Sequence, residues 1–159
     1  MSTIKIIPLP HENYHELSVM VGELLNEIMD RIDNKAFNYD ENETEKRAKD
    51  LIENGKYWVF VARDQESKSL IGFVSLYESY ALYTEGAYGT IPELYVRPAW
   101  RSRNIGKKLL EKATNFAEER EWSRLEVTTP PLPEFERTLQ FYQDNKFEVS
   151  GGRKLKVNI

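Results

Sequence analysis

Apolar and polar positions along the 159-residue chain change period several times, and each change marks an expected element. TIKIIPL alternates weakly and predicts a strand over Thr3–Ile7. From His11 to about Arg31, Leu17, Val21, Leu24, Leu25 and Ile28 recur three or four apart, which predicts a long helix. The polar, turn-prone DNKAFNYDENET separates it from a second helix over Thr44–Glu53, which Asn54-Gly55 would end. YWVFVAR (Tyr57–Arg63) and LIGFVSLYESY (Leu70–Tyr80) are β-type runs joined by a DQESKS hairpin loop. AYGTIPELYV predicts one further strand over Ala87–Val96, with Pro92 at a bulge or an edge.

The second half is more helical. Over Asn104–Glu121, Ile105, Leu109, Leu110, Ala113, Phe116 and Ala117 form one apolar stripe, the clearest helix of the chain. RLEVTT (Arg124–Thr129) reads as a short strand ended by the rigid PPLP, and Phe135–Asn145 as a last helix. FEVSGGRKLKVNI predicts one or two terminal strands broken at Gly151-Gly152. Within it Leu155, Val157 and Ile159 alternate with Lys154, Lys156 and Asn158. Consecutive strands followed by strand–helix–strand crossovers predict an α+β fold: one mixed, mostly antiparallel sheet with helices on both faces. No repeat and no Gly/Ser linker divides the chain, so residues 1–159 are expected to form a single domain.

Composition narrows the chemistry. Hydrophobic residues make up 40% and aromatic residues 12%, enough for a core, and no apolar run has the length of a membrane span. The N-terminus turns polar within a few residues, so no secretory signal is expected. The chain has no cysteine, which suits a cytoplasmic protein and excludes thiolate nucleophiles and cysteine metal ligands. A formal net charge of -4 argues against nucleic acid as partner, since phosphate neutralisation needs a broad basic surface.

One segment runs against this charge: RPAWRSRNIGKKLL, Arg97 to Leu110. A strand pattern ends near Val96 and a helix pattern begins near Asn104, with Gly106 in its first turn. A helix start exposes unpaired backbone N–H groups and the positive end of the macrodipole. Arg101, Arg103, Lys107 and Lys108 surround that end, and Gly106 leaves room for a ligand to approach the backbone. The arrangement fits a phosphate-bearing ligand. The alternative is a solvated helix start, which places like charges against the dipole at a cost of a few tenths of a kcal/mol.

Arg101-Ser102-Arg103-Asn104-Ile105-Gly106, preceded by ELYVRPAW, resembles motif A of the GNAT-type N-acetyltransferases. LQFYQDNKF (Leu139–Phe147) is similar to that family's tyrosine-bearing helix end and next strand, and the order of elements is also alike. Three positions depart from the family pattern. Asn104 stands for a glycine, though asparagine tolerates positive φ; Lys146 stands for another glycine, and Phe135 for an asparagine that contacts cofactor in many members.

The resemblance implies an acyl donor, acetyl-CoA, with its pyrophosphate on the turn formed by Arg101, Ser102, Arg103, Asn104, Ile105, Gly106 and Lys107. The pantetheine arm would lie along Leu94, Tyr95 and Val96, and the reaction would be acyl transfer to an amine. A covalent acyl-cysteine route is excluded by composition, and His11 and His15 lie far upstream. Direct attack by a bound amine needs a base, an oxyanion donor and an acid for the leaving thiolate. By resemblance Tyr142 is the acid and the Val96 N–H the oxyanion donor. Glu93 is a candidate base or ammonium anchor, because it lies beside the expected thioester. Against these stand a core tyrosine at 142 and a solvated or salt-bridged strand residue at 93.

The acceptor is less legible. Asp30, Asp33, Asp40, Glu41 and Glu43, with Phe37 and Tyr39, would suit a cationic small-molecule or protein amine, and Tyr77, Tyr80 and Tyr83 add aromatic surface. The alternative is an ordinary solvated loop with some core tyrosines. Two rival functions remain at this stage: a non-catalytic acyl-CoA-binding module, and a nucleic-acid binder using the basic turn. Members of the family frequently dimerise, so a homodimer is a further expectation, while no membrane partner is expected.

Overall fold

Ile4–Pro8 forms β1 and pairs antiparallel with Trp58–Asp64, β2. β2 forms a hairpin with Leu70–Ala81, β3, and β3 continues the sheet along two partners. Gly86–Ile91, β4, pairs with its C-terminal half and Leu94–Val96, β5, with its N-terminal half, both antiparallel. Leu125–Val127, β6, runs parallel to β4, so the sheet is mixed, in the order β1-β2-β3-β4-β6 with β5 beside β3. The computed structural model describes residues 3–159 and divides them into two units, Met1–Thr128 and Thr129–Ile159.

In the first unit, Tyr14–Ile32 forms α1 and Glu41–Glu53 forms α2. Leu17 and Met20 of α1 pack on Val59, Val61, Leu70, Phe73 and Tyr95, joined by Ala48 and Ile52 of α2. Each such fully buried apolar side chain contributes about 1.5–3 kcal/mol. The other face of the sheet carries Ile105–Glu119, α3, whose Leu109, Leu110 and Ala113 are buried. There Phe116 meets Trp58, Phe60 and Trp122 at ring-centroid distances of 5.4–5.5 Å in tilted or edge-on contacts.

Two helix starts differ from expectation for local reasons. The first helix opens with a 3-10 turn at His11–Asn13 before α1 begins. The second begins at Glu41 rather than Thr44, because the Asp40 side chain caps it by accepting the Glu43 N–H at 2.9 Å. Just before that cap, Tyr39 donates to the Ser18 carbonyl at 2.6 Å and lies over Gly22, where a Cβ would fall 2.5 Å from its ring. The polar loop is thereby pinned to α1.

The single strand expected over Ala87–Val96 is two strands. Between the pairs Tyr77↔Thr90 and Val74↔Leu94, β3 contributes Ser75 and Leu76, while the opposite chain contributes Ile91, Pro92 and Glu93. One side therefore holds one extra residue, a β-bulge, at the position where Pro92 has no N–H to give. β6 follows β4 as far as Ile91↔Val127, and beyond the bulge β5 pairs with β3 alone. Among the described residues, the far edge of β5 is left without a strand.

In the second unit, Glu136–Asp144 forms α4. The Phe147 N–H bonds back to the Tyr142 carbonyl at 3.0 Å, and residues 147–159 contain no strand. The expected terminal strands are thus corrected. Leu155, Val157 and Ile159 are at least 80% exposed, and alternation makes a strand only where a neighbour supplies ladder hydrogen bonds and a face to cover. Among the described residues no helix is long and apolar enough to cross a membrane.

Candidate active site

Backbone direction along β5 follows from its bonds to β3. The Glu93 carbonyl accepts the Ser75 N–H at 3.0 Å, and the Arg97 N–H donates to the Ile71 carbonyl at 2.9 Å. Backbone polar groups alternate sides along a strand, so Leu94 and Val96 direct theirs to the open edge while Tyr95 faces β3. The Val96 carbonyl is engaged there by Arg101 Nε at 2.8 Å. Its N–H is a donor on the uncovered side.

Tyr95 and Arg97 anchor this strand end to α1. The Tyr95 hydroxyl donates to Glu23 Oε1 at 3.2 Å and Arg97 Nε to the same oxygen at 3.0 Å. Burial, with the Glu23 carboxylate beside it, pushes the Tyr95 phenol up to about 12. Arg101 is tied in the same way, with Nη2 donating to Glu27 Oε1 at 2.7 Å.

The turn that follows leads into the third helix through two unusual backbone conformations. Ser102 and Asn104 both take left-handed backbone conformations, with φ of 65° and 62°. Asn104 makes no side-chain cap, and the Lys108 N–H is the first to reach back to it, bonding the Asn104 carbonyl at 3.0 Å. The N–H groups of Ile105, Gly106 and Lys107 precede that bond and have no place in the helical ladder. Ser102, Arg103, Asn104 and Lys107 are exposed, and the Arg103 guanidinium sits 5.0 Å from the Trp100 ring centre. Lys107 and Lys108 take part in no salt bridge among the described residues, so their charge is available to an anion. Arg101, by contrast, has its charge matched by Glu27.

Glu93 makes no salt bridge among the described residues and is not a fully solvated strand residue. It is half-buried in the bulge, where its Oε1 accepts from the Tyr57 hydroxyl at 2.8 Å and from the Ser75 hydroxyl. Its own N–H donates to Ser75 Oγ at 3.1 Å. Burial raises the Glu93 carboxyl above the usual carboxylate range, and the two hydroxyl donors oppose that rise. Sequence reasoning found Glu93 but missed both partners. Their signal was a hydroxyl inside an apolar alternation: Ser75 shares a face with Phe73, and Tyr57 with Val59 and Val61.

Tyr142 lies in the second unit, on α4, buried between Phe141 and Phe147 at ring distances of 5.3 and 5.4 Å. Burial pushes its phenol well above the usual tyrosine range, so the hydroxyl keeps its proton at any ordinary pH. The acidic-aromatic group expected to receive an acceptor is partly committed to structure. Tyr39 braces the loop on α1 and Asp40 caps α2. Tyr77 stacks on Tyr57 at 6.2 Å, whereas Tyr80 and Tyr83 are exposed at 72% and 76% and are not core residues.

Residues 24–147 match the model of the Acetyltransferase (GNAT) family, from α1 to just past α4. No curated protein matches the chain. Solved structures of similar fold include an aminoglycoside N-acetyltransferase AAC(6')-Iy in complex with CoA. It has a TM-score of 0.81 and 13% identity, covering 99% of this chain and 96% of that one. A ribosomal-protein-alanine N-acetyltransferase from Brucella melitensis biovar Abortus 2308 has a TM-score of 0.71 and 22% identity, covering 99% and 100%. An aminoglycoside acetyltransferase from an uncultured soil metagenomic sample, in complex with sisomicin, has a TM-score of 0.73 and 20% identity, covering 98% and 96%.

Proposed function

The chain belongs to the GNAT acetyltransferase family, and we propose that it transfers an acetyl group from acetyl-CoA to a primary amine of a small molecule or a protein by direct attack. The observation that carries this reading is the opening at the bulge. Among the described residues one edge of β5 carries no strand; it leads from a half-buried carboxylate at Glu93 to a helix start whose first N–H groups lie outside the helical ladder. Those groups fit acetyl-CoA. Arg103, Asn104, Ile105, Gly106 and Lys107 present backbone donors for its pyrophosphate, and Leu94 and Val96 present outward backbone groups for its pantetheine arm.

Acetyl-CoA, when bound, supplies the acyl thioester. The residues of this chain do the rest. Glu93 receives the proton of the acceptor ammonium, for which a carboxylate with a raised proton affinity is better matched than an ordinary one. The Val96 N–H stabilises the negative charge that develops on the carbonyl oxygen. Tyr142 is the proposed proton donor to the leaving thiolate, supported by its likeness to the family tyrosine and by the burial that keeps it protonated. The family match crosses both units, which supports reading residues 1–159 as one acetyltransferase domain. The lack of cysteine supports a cytoplasmic setting.

The acceptor is proposed as cationic, with Glu93 its anchor; an aminoglycoside, a polyamine and a peptide with an N-terminal alanine cover its main forms. The test is calorimetric titration with acetyl-CoA, followed by CoA release assayed with those three amines. Saturable binding and turnover of one of them are expected. No binding at millimolar acetyl-CoA overturns the reading, and binding without turnover of any amine returns the chain to a non-catalytic CoA-binding role.

A further inference from the structure

The two hydroxyls on Glu93 fall on the same oxygen. Tyr57, immediately before the second strand, and Ser75, in the third, both donate to Oε1, while Oε2 has no hydrogen-bond partner among the described residues. No buried side-chain oxygen among the described residues lacks a partner, so Oε2 is in reach of solvent. The Tyr57 ring is held in turn by its near-parallel stack on Tyr77, with 16° between the planes. Ser75 is 1% exposed, and its oxygen also receives the Glu93 backbone N–H. The carboxylate is thus fixed at both its backbone and one oxygen, with a single oxygen left open.

We propose that Tyr57 and Ser75 are positioning residues that lock Oε1 of Glu93 and present Oε2 as the atom that takes the acceptor proton. This deepens the proposed acetyl transfer and rests on it. In the step, an N–H bond of the bound ammonium breaks, its electron pair stays on nitrogen as the attacking lone pair, and an O–H bond forms at Oε2. A carboxylate free to rotate would spread that proton between two oxygens and lose the alignment that a positioned base requires. The hydroxyls also set the proton affinity. Each stabilises the ionised form that burial disfavours. Among the described residues no salt bridge reaches Glu93: Arg97 and Arg101 are paired to Glu23 and Glu27 on the first helix, and Tyr77 stacks on Tyr57. With both donors present, the base is ionised over more of the working pH range.

The test uses the full chain labelled with 13C at glutamate side-chain carboxyls, the Glu93 signal being identified by its loss in Glu93→Gln. Its titration midpoint is expected to rise by about one pH unit in Tyr57→Phe, which keeps the ring stack, and by a similar amount in Ser75→Ala. With an amine from the acceptor screen, the acid limb of the kcat/KM profile should move by the same amount while KM for acetyl-CoA stays constant. An unshifted or lowered midpoint in Tyr57→Phe overturns the inference. Loss of the proposed base role would show differently, as a Glu93→Gln enzyme with undiminished turnover, whatever the midpoints do.

Discussion

Arg101 and Glu27, 74 residues apart, meet in a 2.7 Å ion pair that fastens the turn after the fifth strand to the first helix. The same guanidinium holds the Val96 carbonyl at 2.8 Å. Arg101 therefore shapes the turn by gripping protein, while Lys107 stands exposed with its charge free. The two should part company on substitution. Arg101→Ala is expected to lower stability in urea by about 1–2 kcal/mol, the range for a partly exposed charged hydrogen bond. Lys107→Ala should change stability by less than about 0.5 kcal/mol. It should instead weaken acetyl-CoA binding at low ionic strength, with the deficit shrinking as salt is added.

Gly106 lies in the first turn of the third helix, among the N–H groups proposed to face the pyrophosphate. Gly106→Val places a branched side chain on that approach. A loss of acetyl-CoA affinity of about tenfold or more by calorimetry is expected, equivalent to about 1.4 kcal/mol or more. Unchanged affinity would remove the pyrophosphate from this turn.

Tyr142→Phe keeps the aromatic packing against Phe141 and Phe147 and removes only the hydroxyl. Turnover should fall by about 10²-fold, within the range of a lost general acid, with little change in the acetyl-CoA dissociation constant. Equal turnover would leave this residue a packing role alone.

The raised proton affinity of Glu93 carries a sign for stability. The folded state binds this proton more tightly than the unfolded chain does. Its contribution is fully present below the unfolded value near ~4.3 and is lost as pH rises through the folded value. Glu93→Gln cannot ionise. Its stability relative to the parent should therefore increase across that window and level off above it, as read by urea midpoints at a series of pH values. Turnover of the same variant should fall by about 10²–10⁴-fold. A variant both more stable and less active would locate strain at a working group.

Gly72 sits where the third strand passes the fifth. A Cβ there would lie 2.7 Å from the Tyr95 carbonyl oxygen and 3.3 Å from the Val96 Cα, both backbone atoms with little room to yield. Gly72→Ala is expected to cost about 1–3 kcal/mol in urea denaturation and to displace the strand that presents the Val96 N–H.

Periodicity made most of the elements legible, because helices and strands buried on one face repeat their apolar residues at fixed intervals. The third helix and the turn before it could be read almost residue by residue, since Ile105 through Ala117 keep a strict stripe and the turn is local. The terminal segment misled for the opposite reason. Leu155, Val157 and Ile159 alternate as strand residues do, yet alternation describes a face and cannot state whether a neighbouring strand is present. Glu93 was legible as a candidate, but the partners of its carboxylate were not. Tyr57 and Ser75 reach it from two other segments of the chain, and that meeting is created by pairing register, which no single segment encodes.

The extra residue at 91–93 acts as a parity switch. Thr90 lies opposite Tyr77 and so faces the side of the first two helices, as do Glu93 and Tyr95 despite being odd numbers of positions away. An unbroken strand of the same sequence would turn Glu93 toward Trp58 and Phe116 and bury its charge among aromatic rings. The property that puts a carboxylate in the cleft is thus a count of residues rather than the identity of any one of them. Substitution scans, which hold length constant, would never reveal it.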